Sequence, residues 1–553
     1  MNKRIIKPLR FLLYIVLTAL AALFSSFAFP GLLSEKGYGI LIFLAYIPIF
    51  FIIDTSSYIA NAFFGLEYGF LFYLIYNYWL KTFHPLAILI APTLESIQYL
   101  VLFPLLKSAG SLTKKRGYII QALLLTLYYY LTELGFLGYP YGNPSSALYL
   151  HPALLQSASC AGPWLIVLLI VIVGAMIGEM LSKKRFYKKD FIIYLIISIM
   201  NLSIGLFVVS YYEKKDGERV IRVAAVQHSA DSWKGGYETY KKNFETLRSL
   251  SEEAMKENPE FVVWSETAFV PSVSWHKAYP SSRITSALVD SFVDFGKNLG
   301  VPLITGNPEG LINDNTLPAF LPDGSWNWKT YNTVILFGSG DILGTYRKQK
   351  LVPFTEHFPY EKQFPRLYEL LLANDYKWWE EGEEMTVFEY DGVRFSTPIC
   401  FEDMFGSLSA DFVKNGADLL INLTNDSWSG SVEAEMQHLQ LASLRAIETR
   451  RPLLRSTNSG ITCLIKENGE IENMLTPFTE CYGIYDIALG KEKGLTFYTK
   501  HPDLFPKLLI IIIPVLYIVF IRLKIKRKYE AIEQEKLEQY NMMFASLTEE
   551  VEC

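Results

Sequence analysis

The chain is poor in charge. Of its 553 residues only 19% are Asp, Glu, Lys or Arg, where ordinary soluble domains carry about 25%. Apolar residues make up 51%, and the mean hydropathy is +0.20. These figures exclude an entirely soluble protein, and equally a disordered, collagen-like or coiled-coil one. Basic residues are not in excess, with 51 Lys and Arg against 56 Asp and Glu, so no nucleic-acid footprint is present. Five cysteines without a CxxC pair exclude a disulfide framework. The usual catalytic signatures are missing as well. There is no GxSxG, no Walker A, no GxGxxG and no HExxH, and the seven histidines are scattered. A hydrolase elbow, a nucleotide site and a catalytic zinc are therefore not indicated, and neither cofactor nor metal is expected.

Long apolar runs fill the first ~210 residues, at roughly 9–29, 38–53, 59–80, 85–106, 117–137, 160–181 and 191–212. Most reach the ~20 residues that cross a bilayer as a helix. Another lies near 504–523, around IIIIPVLYIVFI, and none between 213 and 503 is long enough to span. The first run exceeds a signal-peptide core and leads straight into further spans, so it reads as a retained helix.

Basic clusters give the orientation. Lys3, Arg4, Lys7 and Arg10 precede the first span; Lys107, Lys114, Lys115 and Arg116 follow the fourth; Lys183 to Lys189 follow the sixth; Arg522 to Lys528 follow the last. With about eight spans all four clusters fall on one side, the cytoplasmic side by the positive-inside rule. The expected organisation is a membrane domain of about seven helices over 1–212, an extracytoplasmic domain over 213–503, a closing span over 504–523 and a cytoplasmic tail over 524–553.

In the central stretch, short apolar runs alternate with helical patterns. The runs include RVAAVQ (222–227), FVVWSE (261–266), VPLITGN (301–307), YNTVILF (331–337), RFSTPICFE (394–402) and DLLINLTND (418–426), with helical periodicity at 237–257, 283–299 and 433–450. Such alternation predicts an α/β sandwich. ENGE at 467–470 reads as a hairpin turn.

One chemical set remains after elimination: Glu266 ending FVVWSE, Lys348 in GTYRKQKLVPFTEHFP, and Cys400 in TPICFED. Strand ends are where α/β sheets place their chemistry. A free thiol has a pKa of about 8.5 and needs a base to become a nucleophile; a carboxylate supplies one, and an ammonium stabilises thiolate and oxyanion. On chemistry alone a lone cysteine after an apolar strand is more often a buried structural residue. Cys160, Cys463 and Cys481 lack such neighbours and read as inert, and Cys553 ends a polar tail. A bridge between Cys463 and Cys481 has no support. Of the carboxylates in or near the spans (Glu67, Glu95, Glu133, Glu179), Glu133 stands out for bracing helices.

These segments resemble the Glu-Lys-Cys signature of the nitrilase superfamily. Together with NLTNDSW and QHLQLASLRAIETRRPLLRSTNSGIT, and over nearly the full length, they are similar to its membrane-embedded branch, the apolipoprotein N-acyltransferases. The resemblance implies a multi-span α-helical membrane domain plus an extracytoplasmic nitrilase-like αββα sandwich, in a bacterial inner membrane. It implies transfer of an acyl group from a phospholipid donor to the amino-terminal diacylglyceryl-cysteine of a lipoprotein, through a thioacyl-enzyme. By position Glu266 matches the general base, Lys348 the oxyanion-stabilising lysine, with Lys350 a rival, and Cys400 the nucleophile. Glu356 matches a second active-site carboxylate, Glu402 a supporting carboxylate, and Trp233 and Trp428 aromatics near the acyl site. Phe401 stands where the family often has Tyr, so a hydroxyl is lost there. For each auxiliary residue a plainer role stays open: surface carboxylate for Glu356, helix-start acid for Glu402, core packing for the tryptophans.

Two further segments, 269–280 and 358–379, are rich in large apolar side chains. Trp275, Phe364, Leu367, Leu371, Trp378 and Trp379 are lid candidates that dip into the outer leaflet, the alternative being an enlarged core. No nucleic-acid partner is expected, and a monomer is. Two other functions fit the bare pattern: a membrane-anchored amidase acting on soluble amides, and a non-enzymatic scaffold or transporter.

Overall fold

The structure is a computed structural model that describes residues 3–82, 85–213, 219–280, 282–322, 324–358, 360–373, 378–490 and 494–551. Cys553, and positions 359 and 374–377 of the second lid segment, lie outside the described residues.

The apolar runs form helices α1 (Lys3–Ala28), α2 (Ile42–Thr55), α3 (Tyr58–Tyr76), α4 (Ala87–Ser111) and α5 (Gly117–Leu131). After two single-turn helices, α6 (Pro152–Leu155) and α7 (Ala158–Ala161), come α8 (Pro163–Lys183) and α9 (Lys188–Glu213). Six helices among the described residues are long and apolar enough to cross a membrane, counting one at the carboxyl end, while Gly39–Thr55 and Gly117–Leu131 are shorter. Side chains of α1 to α5 and α8 share one core, with Phe50, Tyr76, Leu106, Leu125 and Ile170 at its centre. Small residues permit close approach: a Cβ on Gly174 would stand 2.5 Å from Tyr46 and one on Gly65 2.3 Å from the Tyr99 carbonyl. Such contacts suit helices that gain nothing from hiding apolar surface from lipid. The internal brace is Glu179 of α8 rather than Glu133. Its carboxylate accepts from the backbone N–H of Arg116 (2.9 Å) and Tyr118 (2.8 Å) and from the Tyr187 hydroxyl (2.6 Å). Glu133 pairs within its own loop, accepting from Asn143 at 2.8 Å.

The central stretch opens with β1 (Arg219–Gln227), α10 (Tyr237–Ala254), β2 (Phe261–Val263), α11 (Val273–Ala278), α12 (Arg283–Asn298) and β3 (Leu303–Gly306). A small ribbon, β4 (Glu309–Ile312) with β5 (Trp328–Tyr331), precedes β6 (Thr333–Gly338), β7 (Asp341–Arg347) and the short helix α13 (Pro365–Leu372). The second half holds β8 (Phe388–Tyr390), β9 (Val393–Ser396), α14 (Gly406–Lys414), β10 (Leu419–Thr424) and α15 (Val432–Thr449). It closes with β11 (Leu453–Thr457), β12 (Cys463–Ile465), β13 (Ile471–Glu472) and β14 (Cys481–Leu489). The turn at 467–470 is a hairpin: β12 and β13 are antiparallel and Lys466 N–H donates to the Glu470 carbonyl at 2.8 Å.

Two six-stranded sheets result, ordered β14-β1-β2-β3-β6-β7 and β13-β12-β11-β10-β9-β8. Their inner faces bury Val223, Val263 and Ile304 against Leu420, Leu454 and Ile465. Helices α10 and α12 cover the outer face of the first sheet through Phe244, Leu247 and Phe292. Helices α14 and α15 cover the second through Phe412, Leu439 and Ala446, giving the αββα sandwich. Sheets buried on both faces need strands without polar alternation, and β6 and β10 are buried at every residue.

Helix α15 joins the sandwich to the membrane helices. Residues 434–449 are all buried. Gln437 donates to the carbonyls of Pro30 (2.8 Å) and Tyr76 (2.9 Å) and accepts from Trp79 at 2.9 Å. Leu444 and Ile447 belong to the membrane-helix core. After α16 (Phe497–Lys500), α17 (Leu504–Val551) closes the chain.

Candidate active site

Strand direction brings the chemistry together. In the first sheet β1, β2 and β3 are parallel and β7 runs the same way, being antiparallel to β6, which is antiparallel to β3. In the second, β9, β10 and β11 are parallel. Glu266 lies just beyond β2, Lys348 immediately after β7 and Cys400 four residues after β9, all at carboxyl ends, where such sheets place their ligands.

Lys348 is wholly buried and Glu266 is 6% exposed. The Lys348 ammonium donates to Glu356 Oε1 at 2.8 Å and lies 3.4 Å from Glu266 Oε1. Asn332, at the gap between β5 and β6, donates to Glu266 Oε1 at 2.7 Å and to Glu356 Oε1 at 3.3 Å. Glu266 Oε2 accepts from Asn425 N–H at 2.9 Å, and Glu356 Oε2 from Val352 N–H at 2.8 Å. The backbone behind Glu266 leaves no room: a Cβ on Gly306 would stand 2.2 Å from Thr267 N and 2.7 Å from Glu266 Cα. Cys400 is half-buried and sits at φ 50°, the left-handed region, at the start of the tight turn Cys400–Met404. A non-glycine residue held there stores strain that the surrounding structure must support.

Electrostatics follow from burial and neighbours. Burial and the Glu266 charge push the Cys400 thiol well above its ordinary value, although Lys348 opposes them. Burial also raises the Glu266 carboxyl; Lys348 pulls it back and Glu356 adds to the rise. For Lys348 burial opposes the charge, but Glu356, Glu266 and Cys400 outweigh it and hold the ammonium well above its usual range. At rest the cysteine is a thiol with a carboxylate of raised proton affinity nearby, the pairing that general-base catalysis needs.

Lys350 points elsewhere: its ammonium lies 4.2 Å from the centre of the Phe405 ring and donates to the Gly135 carbonyl at 3.3 Å. Glu402 is fully buried beneath the site, and its carboxylate accepts from Gln349, Lys350 and Ile399 N–H at 2.7, 3.0 and 2.7 Å. Phe401 packs edge-on against Phe405 with centroids 4.9 Å apart. Trp428 is half-buried, 5.6 Å from the ring of Trp79 beyond α3. Trp233 is exposed, on a rim loop where Ser232 donates to Asn425 Oδ1 at 2.9 Å.

The lid candidates divide. Trp275 is no lid residue: it is 1% exposed, enclosed by Trp326 and Trp328 with centroids 5.8 and 5.1 Å away, because the β4–β5 ribbon folds over α11. Helix α13 has no buried residue; Phe364 and Leu367 are exposed, and Leu371 is half-buried. Trp378 stacks on Tyr368 at 6.4 Å. Trp379 N–H donates to the Glu356 carbonyl at 2.9 Å, which anchors the end of the arm to the segment carrying the second carboxylate. The loop after α5 meets the arm's other end: Phe136 packs on Phe354, His357 and Tyr360 at 6.0, 5.9 and 6.2 Å. Tyr141 of the same loop packs with Cys400 on the cluster of Phe401, Met404, Phe405 and Leu441.

Sequence reasoning missed Asn332, Tyr141 and a set of buried charges behind Cys400: Asp403, Asp426, His438 and Arg455. Arg455 in the middle of the apolar strand LLRST was the available signal, since a buried charge requires partners. The four cysteines among the described residues are free.

The chain matches the carbon-nitrogen hydrolase family over residues 222–494 and the apolipoprotein N-acyltransferase N-terminal domain over residues 11–176. Apolipoprotein N-acyltransferase 1 of Treponema denticola is 37% identical over 521 residues, 91% of this chain and 95% of the relative. The protein of the same name from Treponema pallidum is 34% identical over 499 residues, 87% of this chain and 90% of the relative. Among solved structures, a variant of a Nesterenkonia amidase from the nitrilase superfamily covers 50% of this chain and 92% of its own at 16% identity, with a TM-score of 0.35.

Proposed function

The chain belongs to the apolipoprotein N-acyltransferase family, and from that membership we propose the route by which this membrane enzyme N-acylates lipoproteins. Glu266 takes the proton of Cys400, and the sulfur attacks the ester carbonyl of a phospholipid. Lys348 faces the negative charge that builds on thiolate and carbonyl oxygen. The tetrahedral adduct collapses, its C–O bond breaks, and the lysophospholipid oxygen leaves with the proton held by Glu266. The acyl group is now a thioester on Cys400. The α-amine of the lipoprotein's diacylglyceryl-cysteine attacks it, the C–S bond breaks, and the amine proton returns to the thiol through Glu266. Covalent catalysis divides one difficult transfer into two easier ones.

The observation that carries this reading is the buried Lys348 ammonium between two carboxylates, 2.8 Å from Glu356 and 3.4 Å from Glu266. Glu356 holds the lysine, and Asn332 spans both acids. We assign residues 1–212 and 504–523 to the membrane part, 213–503 to an extracytoplasmic catalytic domain and 524–553 to a cytoplasmic tail, in a bacterial inner membrane. The four basic clusters support that orientation. Phospholipid as donor is supported by the exposed apolar arm of α13 beside the site. One chain supplies every residue of the route, in keeping with a monomer. The direct test is mass spectrometry of the purified protein after incubation with phospholipid. An added acyl mass on the Cys400 peptide, released by hydroxylamine and discharged by a lipidated peptide, is expected; its absence with an active preparation overturns the thioacyl route.

A further inference from the structure

The charges behind the nucleophile are arranged around one imidazole. His438, in the middle of α15, is buried. Its Nε2 lies 2.9 Å from Asp403 Oδ1, and its Nδ1 lies 3.0 Å from both oxygens of Asp426. Asp403 belongs to the turn Cys400–Met404 that begins with the nucleophile. Asp426 follows Asn425, whose N–H holds Glu266 at 2.9 Å. The ring therefore spans from the turn that carries the thiol to the loop that holds its base.

We propose that His438 is a positioning residue whose two ring nitrogens, each donating to an aspartate, keep the Cys400 turn and the Glu266-holding loop in register for proton transfer. This rests on the reading of Cys400 and Glu266 as nucleophile and base.

Two donors on one imidazole require the imidazolium. The groups facing it come from four elements. Asp403 stands on the turn, Asp426 on the loop after β10, Arg455 on β11 and Glu435 one turn earlier on α15 itself. Arg455 pairs with Asp403 and lies 3.7 Å from Asp426 Oδ2. Burial and the Asp426 charge push Glu435 well above the carboxylate range, so it counts as neutral. Two cations thus balance two anions in a buried pocket. Burial opposes charge on His438, but Asp426 and Asp403 outweigh it and, against Arg455, lift its pKa to about 9. Above that value one nitrogen becomes an acceptor facing a carboxylate, and one of the two links is lost. A shift of about 1 Å in such a pair can cost about 100-fold in rate.

The test uses the full-length protein in phospholipid nanodiscs and follows thioacylation by mass spectrometry between about pH 6 and 10, a range that brackets the imidazolium's loss of its proton. His438→Gln, which keeps one amide donor, should lower the maximal rate about 10–100-fold with less than about twofold change in the lipid concentration at half-maximal rate. His438→Leu should be slower still. The wild type should lose rate with a midpoint near a pH of about 9, and that limb should be absent from His438→Gln. Wild-type rates in both variants, or a uniform fall with the alkaline limb retained, overturn the proposal. If neither variant folds, the wild-type profile decides: no loss of rate across the alkaline range overturns it. Thioacylation persisting in Cys400→Ala would instead overturn the nucleophile reading, so the two failures are distinguishable.

Discussion

The Tyr346 hydroxyl donates to both carboxylate oxygens of Glu402, at 2.9 and 3.0 Å. Tyr346 lies near the end of β7, two residues before Lys348, and Glu402 lies two residues after Cys400. With the backbone donors Gln349, Lys350 and Ile399, this one side chain fastens the Lys348 segment to the Cys400 turn. Glu402→Gln puts an amide donor among these donors. A buried N–H or O–H left without an acceptor costs about 1–3 kcal/mol, so the variant should melt at a lower temperature and thioacylate more slowly. Differential scanning fluorimetry together with the acylation assay reads both, and an unchanged melting temperature would remove Glu402 from the framework.

Among the described cysteines, Cys400 alone sits with Lys348 and Glu266; Cys463 sits instead beside Arg455 with its thiol raised by burial to about 12. Cys400→Ala should abolish thioacylation and Cys400→Ser nearly so, because an alkoxide is harder to form than a thiolate. Intact protein mass spectrometry checks it; an acyl adduct on Cys400→Ala refutes the assignment.

Acid should stop the reaction without unfolding the site. As the proposed base, Glu266 can take a proton only when ionised, and burial places its pKa above the ordinary carboxylate value. The rate should therefore fall as pH drops through a midpoint above about 4.3. A carboxyl raised on folding contributes stability that is full below its unfolded value and declines as pH rises through the folded one. The loss of rate at this group should consequently come without a loss of melting temperature. Glu356→Gln removes an anion that raises Glu266, so its acid limb should move to lower pH while the maximal rate drops with the weakened hold on Lys348. An unshifted limb would mean that another group titrates.

How much of this was legible in the sequence depended on whether a residue acts through its own segment or through partners far along the chain. The apolar runs marked the helices because a bilayer demands length and composition of a single segment. The sandwich was legible because strands buried on both faces must be apolar throughout. Glu266 and Cys400 each close an apolar run, while Lys348 follows the partly exposed β7; position made the three candidates, and the resemblance to the nitrilase signature gave them their roles. His438 and Asp403 are 35 residues apart, Glu266 and Asn425 are 159 apart, and no local pattern encodes either link. Trp275 failed as a lid residue for the same reason. Its local apolar context suits an exposed arm as well as a core, and the enclosing Trp328 of β5 and Trp326 just before it lie far along the chain. Glu179 surpasses Glu133 as a brace because its donors lie at the amino-terminal end of α5, 63 and 61 residues earlier.

Orientation admits a simple check. The basic clusters predict that residues 213–503 lie on the side away from the cytoplasm. A reporter that fluoresces only in the cytoplasm, fused after Gly310 in a truncated chain, should stay dark, while one fused after Lys528 should light up. The reverse pattern would overturn the orientation and with it the access of a lipoprotein amino terminus to Cys400.

Lipid access should depend on α13. Its Leu367 and Leu370 are 45% and 58% exposed, and Phe364 just before it is 57% exposed. The loop after α5, which meets the arm through Phe136, leaves Leu134 and Leu137 exposed as well. Scattered apolar side chains need no explanation, but a concentration of them along one arm marks a contact surface. Tyr368 and Trp378 brace the arm by stacking, while Leu367 and Leu370 stay exposed. Phe354, close to the arm's start, sits at φ 61° and is exposed, a strained backbone position. Leu367→Ser with Leu370→Ser should therefore slow thioacylation from bilayer phospholipid about tenfold, the loss expected for roughly 1.4 kcal/mol of lipid contact. Each loses contact with lipid rather than with the core, so the melting temperature should be nearly unchanged. A short water-soluble thioester donor, which reaches Cys400 without leaving a bilayer, should acylate the double variant at nearly the wild-type rate. Trp378→Ala should impair both donors in some measure, because it loosens the segment bonded to Glu356. If the leucine variant loses both donors equally, or melts early, α13 is a structural element of the sandwich and the lipid reaches the thiol by another face.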